Sequence, residues 1–253
     1  MTPPRGAASL PVDLRAAPSA PKRRAAHVAK HVSQGAAGLM IKDSERTRAE
    51  IIEVATREFS LRGYSGGRIN EIAERTRTSK RMIYYYFGGK EGLYRAVLFE
   101  HYRRLRANDR DALLAELPPL QALEALTRHT FDWYVEHAAE VPLVMVENIH
   151  HGAHIRTMPD IESLNSTAIG TITSIYERGV QDGVMRPGLR PIDVYMTIAA
   201  ASFFNVSNRY TFKAIFAHDI STPEEIAVRR RAVIETVLRY VAVESARSRP
   251  APP

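Results

Sequence analysis

The sequence predicts an all-α fold of about nine helices in two units. Three observations predict it. Apolar residues recur three and four positions apart along most of the chain, while strand-like alternation is nearly absent. Gly and Pro gather mostly between these periodic runs. Charge is shared unevenly: the 253 residues carry a net +7, made of +5 in 1–43, +6 in 44–106 and −4 in 107–253. A basic front joined to a mildly acidic remainder suits a polyanion-binding module attached to a second unit.

Composition narrows the function classes. With no cysteine, disulfides, thiolate zinc sites and Cys nucleophiles are excluded. No run of about 18 apolar residues exists, so no membrane span or membrane partner is expected. The basic first 40 residues lack an apolar h-region and cleavage site, which speaks against a secretory signal. The lack of cysteine fits a reducing cytosol.

Residues 1–38 are rich in Ala, Pro and Arg with almost no large apolar side chains, and predict a disordered basic tail reaching to 43. Lys22, Arg23 and Arg24 could touch phosphates there, and Met40 would make a natural alternative start. Order is expected from Ser44. Ile51, Ile52, Ala55 and Phe59 share one helical stripe over 44–62, with Asp43 or Ser44 as cap and Gly63 as left-handed stop. Ile69, Ile72 and Ala73 mark a short helix over 67–75. Ser79 is a good N-cap for a third helix, 80–87, ended by Gly88-Gly89. A fourth starts near Lys90 and carries Leu93, Val97, Leu98, Tyr102 and Leu105. Beyond Pro118-Pro119, helical patterns cover about 119–138, 141–155, 160–182, 191–208 and 223–246. Tyr210–Phe216 reads as a short helical turn. The expected boundary between the two ordered units falls after residue 90, giving 44–90 and 91–253.

Gly63–Tyr94 carries the functional signal. Two short helices joined by a tight turn, the second opening at a serine and bearing Lys, Arg and Tyr, form a helix-turn-helix pattern. A major groove about 12 Å wide accepts one helix. Such a helix needs an apolar stripe toward its scaffold and donors on the other side. Ile83 and Phe87 can form the stripe, leaving Lys80, Arg81, Tyr84 and Tyr85 opposite.

Ile72-Ala73-Glu74-Arg75, Ser79-Lys80, Ile83-Tyr84-Tyr85-Tyr86-Phe87 and Lys90-Glu91-Gly92-Leu93-Tyr94 resemble the TetR family of bacterial repressors over about 44–100. The remainder matches in general form, and Asn205–Tyr210 looks like a subgroup that includes regulators of nucleobase catabolism. The resemblance implies that Lys80, Arg81 and Met82 face bases, with Arg81 the candidate for a guanine contact. It implies that Tyr84, Tyr85 and Lys90 hold phosphates, Lys90 assisted by a helix N-terminus. Tyr86 reads as a scaffold aromatic. Two departures stand out. The family usually has Gly in the turn where this chain has Arg77, so either the turn is strained or its geometry differs and Arg77 gains a phosphate. A Thr or Ser commonly caps the second helix, where this chain has Gly67-Arg68, and Arg68 would replace that contact by charge.

The expected partners are a double-stranded DNA operator, a second copy of the chain and an unidentified small-molecule effector. Two-fold operators need a homodimer. Ile192, Val194, Ile198, Ala199, Ala201, Phe203 and Phe204 on 191–208, with Val233, Ile234, Val237, Leu238, Tyr240 and Val241 on 223–246, offer the apolar surface. Pocket candidates are Trp133, Met145, Asn148, His151, Asn165 and Tyr176, with Phe131, Tyr134 and Met158 behind them; an aromatic or Met at helical spacing is more often core. His150, His151 and His154 invite a metal reading, since Glu147, His151 and His154 would share a helical face, but Gly152 weakens the helix and the ligand set is short. No metal, cofactor or catalytic residue is expected. Gly88-Gly89-Lys90 is a fragment of a phosphate loop with no preceding strand, and no other enzyme signature is present. The expectation is a sequence-specific, ligand-responsive transcriptional repressor. The alternative is a ligand-independent DNA-binding protein or an activator of the same fold.

Overall fold

The computed structural model describes residues 22–106 and 111–243, with side chains from Asp43 and again from Leu113. The chain divides into two compact units, 1–47 and 48–253. In the first, residues up to Thr47 belong to α1 (Lys22–Gly66), and the Thr47 hydroxyl donates to the Asp43 carbonyl at 2.8 Å. Helix was expected only from Ser44, yet α1 is assigned from Lys22. The Ala-rich composition of that stretch, the most favourable for helix, is the physical reason. Residues 1–21 of the expected tail lie outside the described residues.

All else concerns the second unit. Gly63 kinks α1 at φ 65°, ψ −179°, a conformation open to glycine but not the left-handed helical stop expected there, and the helix resumes to Gly66. There follow α2 (Ile69–Arg75), α3 (Lys80–Phe87), α4 (Lys90–Arg106), α5 (Asp111–Glu116), α6 (Pro119–Glu136), α7 (Val141–Ile149), α8 (Ile161–Gln181), α9 (Pro191–Ser207), α10 (Arg209–Phe216) and α11 (Pro223–Val241). No strand forms among the described residues; Met185 and Ala242 make one isolated bridge.

Among the described residues the helices number eleven rather than about nine. Tyr210–Phe216 is a helix of its own, and α5 fills the stretch before Pro118. The helix expected over 141–155 ends at Ile149, because His151 and Gly152 both take positive φ (55° and 68°). A 3-10 turn at Ile155–Thr157 resumes the path.

Three apolar clusters hold the unit together. The first joins Ile51, Ala55 and Phe59 of α1 to Ile72, Ile83, Leu93 and Val97, with Leu143 of α7 and Met158 packed in. The second gathers Leu123 of α6, Ile172 and Ile175 of α8, Val194 and Ile198 of α9 and Val237 and Val241 of α11. The third is small: Leu105, Trp133, Tyr134, Val141 and Val206. Helix α4 thus has its first turns in one core and Leu105 in another. Helix α7 does the same, with Leu143 in the first core and Val141 in the third.

Candidate nucleic-acid interface

The short helix α3 is built for presentation. The Ser79 hydroxyl accepts from the Met82 amide at 3.2 Å, capping its start. Gly88, at φ 73°, ends it in the left-handed conformation, its amide donating to the Tyr84 carbonyl at 2.8 Å. Ile83 is fully buried and pins the helix to its scaffold. Burial of such a side chain contributes about 1.5–3 kcal/mol. Lys80, Arg81, Tyr84 and Tyr85 stand exposed, the two phenols at 53% and 77%. Met82, Tyr86 and Phe87 are half-buried. The Tyr85 and Tyr86 rings meet edge-on at 5.4 Å, and the Arg48 guanidinium lies 5.3 Å from the centre of Phe87.

Glycine at 92 follows from the same geometry. A Cβ there would sit 1.8 Å from the Phe87 carbonyl oxygen, so only a bare backbone lets α4 begin so close to the end of α3.

The turn between α2 and α3 settles the question posed by Arg77. The Arg77 amide donates to Glu74 O at 3.2 Å and the Thr78 amide to Ala73 O at 3.1 Å. These paired bonds are those of a Schellman motif, which requires a left-handed residue between them. Arg77 occupies that place at φ 50°. The turn keeps the geometry a glycine would favour, and Arg77 bears the strain with its side chain exposed.

Helix α2 is capped from outside its own sequence. Arg68, its N-cap, makes no side-chain cap bond; instead its amide donates to Glu58 Oε1 at 3.2 Å. Glu58 is 1% exposed, with Arg62 Nε at 3.2 Å from one oxygen and Arg75 at 3.7 Å from the other. Sequence reading missed this carboxylate. The signal was there: Glu58 falls on the buried side of α1 between Ala55 and Phe59, with Arg62 one turn on. Position 67 also excludes the usual hydroxyl residue. A Cβ on Gly67 would approach the Phe59 ring to 2.5 Å.

Arg62, Arg75 and Arg95 are paired with carboxylates, whereas Arg68, Arg77, Lys80 and Arg81 form no ion pair among the described residues. Unneutralised charge therefore collects at the starts of α2 and α3 and in the turn between them. Lys90 is half-buried. Its ammonium donates to the Ser65 carbonyl at 3.1 Å and lies 5.0 Å from the centre of the Tyr64 ring, clamping the α1–α2 turn to α4. Two of its three N–H groups remain for a phosphate.

A buried polar knot stands behind that turn. Glu147, 1% exposed at the end of α7, faces His154 Nδ1 at 2.8 Å and accepts from the His154 and Ile155 amides at 3.2 and 3.3 Å. The His154 ring packs on Tyr64 and Tyr94 at 4.4 and 4.8 Å. Burial, and next the charge of Glu147, raise the Tyr94 phenol well above its ordinary pKa. The helical face expected to unite Glu147, His151 and His154 does not form, since the helix stops before His151. Among the described residues no three metal-ligating side chains converge.

The six pocket candidates are not brought together. Trp133 is buried, stacked on His137 at 4.3 Å. Tyr176 is buried in the second core, its hydroxyl donating to Arg186 O and accepting from the Leu189 amide. Met145, Asn148 and His151 are exposed. Trp133 also lines an open groove of about 640 Å³ with Arg128, Asp132 and Glu136, while Asn165 lies by a small cavity through its 2.9 Å bond from Arg106 Nε. That cavity, about 30 Å³, lies between α4, α6, α8 and α9 and is lined by Arg106, Leu126, Thr130, Thr167, Tyr195 and Ile198 among others.

The surface offered to a second copy also differs from the expected set. Val194, Ile198, Val233, Ile234, Val237 and Val241 are consumed by the unit's own cores. What α9 leaves exposed is Ile192, Met196 and Phe204, four and eight positions apart on one face, joined by Ile215 and Phe216 of α10 and Val228 of α11.

Two family profiles match the chain: "Bacterial regulatory proteins, tetR family" over residues 51–97, and "Tetracyclin repressor-like, C-terminal domain" over residues 119–237. The HTH-type transcriptional repressor NicS of Pseudomonas putida is 34% identical over 184 residues, 73% of this chain and 87% of NicS. The HTH-type transcriptional repressor SCO4008 of Streptomyces coelicolor is 27% identical over 164 residues, 64% of this chain and 80% of that protein. The solved structure of the ketosteroid transcriptional regulator KstR2 of Mycobacterium tuberculosis superposes with a TM-score of 0.57 at 21% identity, covering 78% of this chain and 95% of KstR2. That likeness concerns the fold.

Proposed function

The chain belongs to the TetR family of bacterial transcriptional regulators, a non-enzymatic class, and from that premise we propose that it represses transcription by reading a two-fold operator with α3 of each of two copies. The observation that carries the reading is α3 itself: Ile83 is fully buried while Lys80, Arg81, Tyr84 and Tyr85 are exposed. Residues 44–90 act as the DNA-binding domain and 91–253 as the domain for effector and partner, with 1–43 a basic extension. Arg81, with Lys80 and Met82, reads base edges. Tyr84, Tyr85, Lys90 and Arg68 hold phosphates, and Arg77 adds a further cation.

Repression is the role for which NicS and SCO4008 are named. Two copies pair through the exposed face of Met196 and Phe204, with α10 and α11 beside it. Among the described residues no helix is long and apolar enough to cross a membrane.

Effector control works by linkage. An effector in the cavity between α4, α6, α8 and α9 favours a conformation whose two recognition helices are badly spaced. Moving from mostly bound to mostly released takes about 5.5 kcal/mol of differential affinity. The α4 helix runs from Lys90, clamped to Ser65, to Arg106 at the cavity, and is the lever. The Glu147–His154 knot, packed on Tyr64, is a second contact from α7 to the α1–α2 turn.

The test is duplex affinity by fluorescence anisotropy between 50 and 200 mM salt. Strong salt dependence is expected, with Tyr84→Phe and Tyr85→Phe weakening binding to all duplexes alike. Affinity that is flat with salt, or unchanged in both variants, would refute the assignment of α3.

A further inference from the structure

The cavity contains a cation that has no ion-pair partner among the described residues. Arg106 is the last residue of α4. Its Nε donates to Asn165 Oδ1 at 2.9 Å and one Nη donates to the Tyr195 hydroxyl, while the guanidinium lies 5.2 Å from the centre of the Tyr195 ring. Asn165 and Tyr195 thus fix the direction of the guanidinium without neutralising it. Among the described residues no carboxylate lies within ion-pair distance of Arg106, whereas its neighbour Arg104 meets Glu53, Glu100 and Glu140, and Arg230 meets Asp132. Of the five guanidinium N–H groups, two are used by these bonds. The three that remain can present the paired edge that matches a carboxylate.

The rest of the lining suits a ligand with one charged end and an apolar body. Leu105, Leu126, Ile172 and Ile198 supply apolar walls, and Thr130 and Thr167 supply hydroxyls. Tyr102 and Tyr134 stand close behind; burial, and then the neighbouring Tyr195, push both phenols above their ordinary range, so they stay protonated and do not compete as anions. At about 30 Å³ the cavity has room for a carboxylate-sized group but not for a large planar ring without displacement of a wall.

We propose that the effector is a small organic carboxylate, and that Arg106, oriented by Asn165 and Tyr195, is its anchor. The proposal rests on the reading of this cavity as the effector site. It also names how occupancy reaches DNA. The anion grips the last residue of α4, whose first residue is the clamped Lys90.

The experiment uses the full chain without DNA. Calorimetric titration and thermal shift are run with formate, acetate and benzoate, each beside formamide, acetamide and benzamide at equal ionic strength. At least one carboxylate is expected to bind saturably and raise Tm, and its amide to bind at least tenfold more weakly. Arg106→Gln should lose at least tenfold in affinity for that carboxylate, with Arg106→Lys between the two. Tyr195→Phe keeps the charge of Arg106 but removes one of the two groups that orient it, so it should weaken binding of that carboxylate by less than Arg106→Gln does, and it serves if Arg106→Gln does not fold. Equal binding of acid and amide, binding that survives Arg106→Gln unchanged, binding that survives both Arg106→Lys and Tyr195→Phe unchanged, or no response to any of the three carboxylates overturns the proposal. A second arm adds the bound carboxylate to the protein–duplex complex. Carboxylate binding without release of duplex would contradict the effector reading while leaving the anion site in place. Duplex binding with no carboxylate response would contradict the anion site alone.

Discussion

Arg77 offers a test in which strain and charge can be separated. The two backbone bonds of the α2–α3 turn hold it at φ 50°, where a side chain costs about 1–2 kcal/mol. Replacement by Gly removes that cost but adds about 0.4–1 kcal/mol of unfolded-chain entropy to overcome. Arg77→Ala keeps the strain and removes the charge. Arg77→Gly should therefore be more stable than Arg77→Ala by about 1 kcal/mol, or about 2–4 °C in Tm for a chain of this length. Both substitutions remove the same exposed cation, so both should lower the slope of log affinity against log salt by about one if Arg77 meets a phosphate. Urea midpoints measure the first quantity and anisotropy titrations the second. Stability in Arg77→Ala equal to or above that of Arg77→Gly would mean that the turn does not impose the left-handed conformation. An unchanged salt slope in both would remove Arg77 from the DNA contacts.

Gly92→Ala should destabilise by about 1–3 kcal/mol, seen in the urea midpoint, because the new methyl meets the Phe87 carbonyl. Glu58→Gln should cost about 1–3 kcal/mol through loss of a charged acceptor for the α2 amide; Arg62 and Arg75 are half-exposed and remain hydrated, so the larger penalty of a stranded buried cation does not arise. Burial works to raise the Glu140 carboxyl, but the bond from His101 and the charges of His101 and Arg104 outweigh it and hold it below its usual range. A depressed carboxylate contributes stability above the unfolded pKa of about 4.3 and loses it as pH falls below that value, so Glu140→Gln should flatten the acid limb of a stability-against-pH curve. Phe204→Glu with Met196→Glu should convert a dimer to monomer in sedimentation analysis without loss of helicity, since both side chains are exposed in the single chain.

Much of the interface was legible because local rules and tertiary demands agree there. Ser79, Ile83 and Gly88 each mark α3 by a separate mechanism, and the helix runs over the expected residues, Lys80–Phe87. Arg77 stood out because it breaks the turn's glycine preference, and the structure retains the strain. Glu58 was hidden for the opposite reason. A carboxylate inside a helix reads as a solvated charge, and only the approach of α2 from ten residues away makes it a cap. The cavity was illegible by periodicity. Trp133 and Tyr176 are large and apolar enough to suggest a pocket but are used in packing, while Arg106 looked like one more charge in the basic last turn of α4. Distinguishing outward from inward residues on α9 and α11 likewise needed the neighbours. Both helices are apolar on more than one side, and the second core takes Val194, Ile198, Val237 and Val241.

The most direct measurement is selection of bound duplexes from random DNA by the wild-type chain and by Arg81→Ala in parallel. The wild type should enrich an inverted repeat whose half-sites are spaced by about one helical turn or a multiple of it. Arg81→Ala should lose preference at one base pair in each half-site, at a cost of about 1–3 kcal/mol of discrimination, with the rest of the motif kept. Enrichment of no sequence by the wild type, or an identical motif from both proteins, would contradict the placement of α3 in the groove.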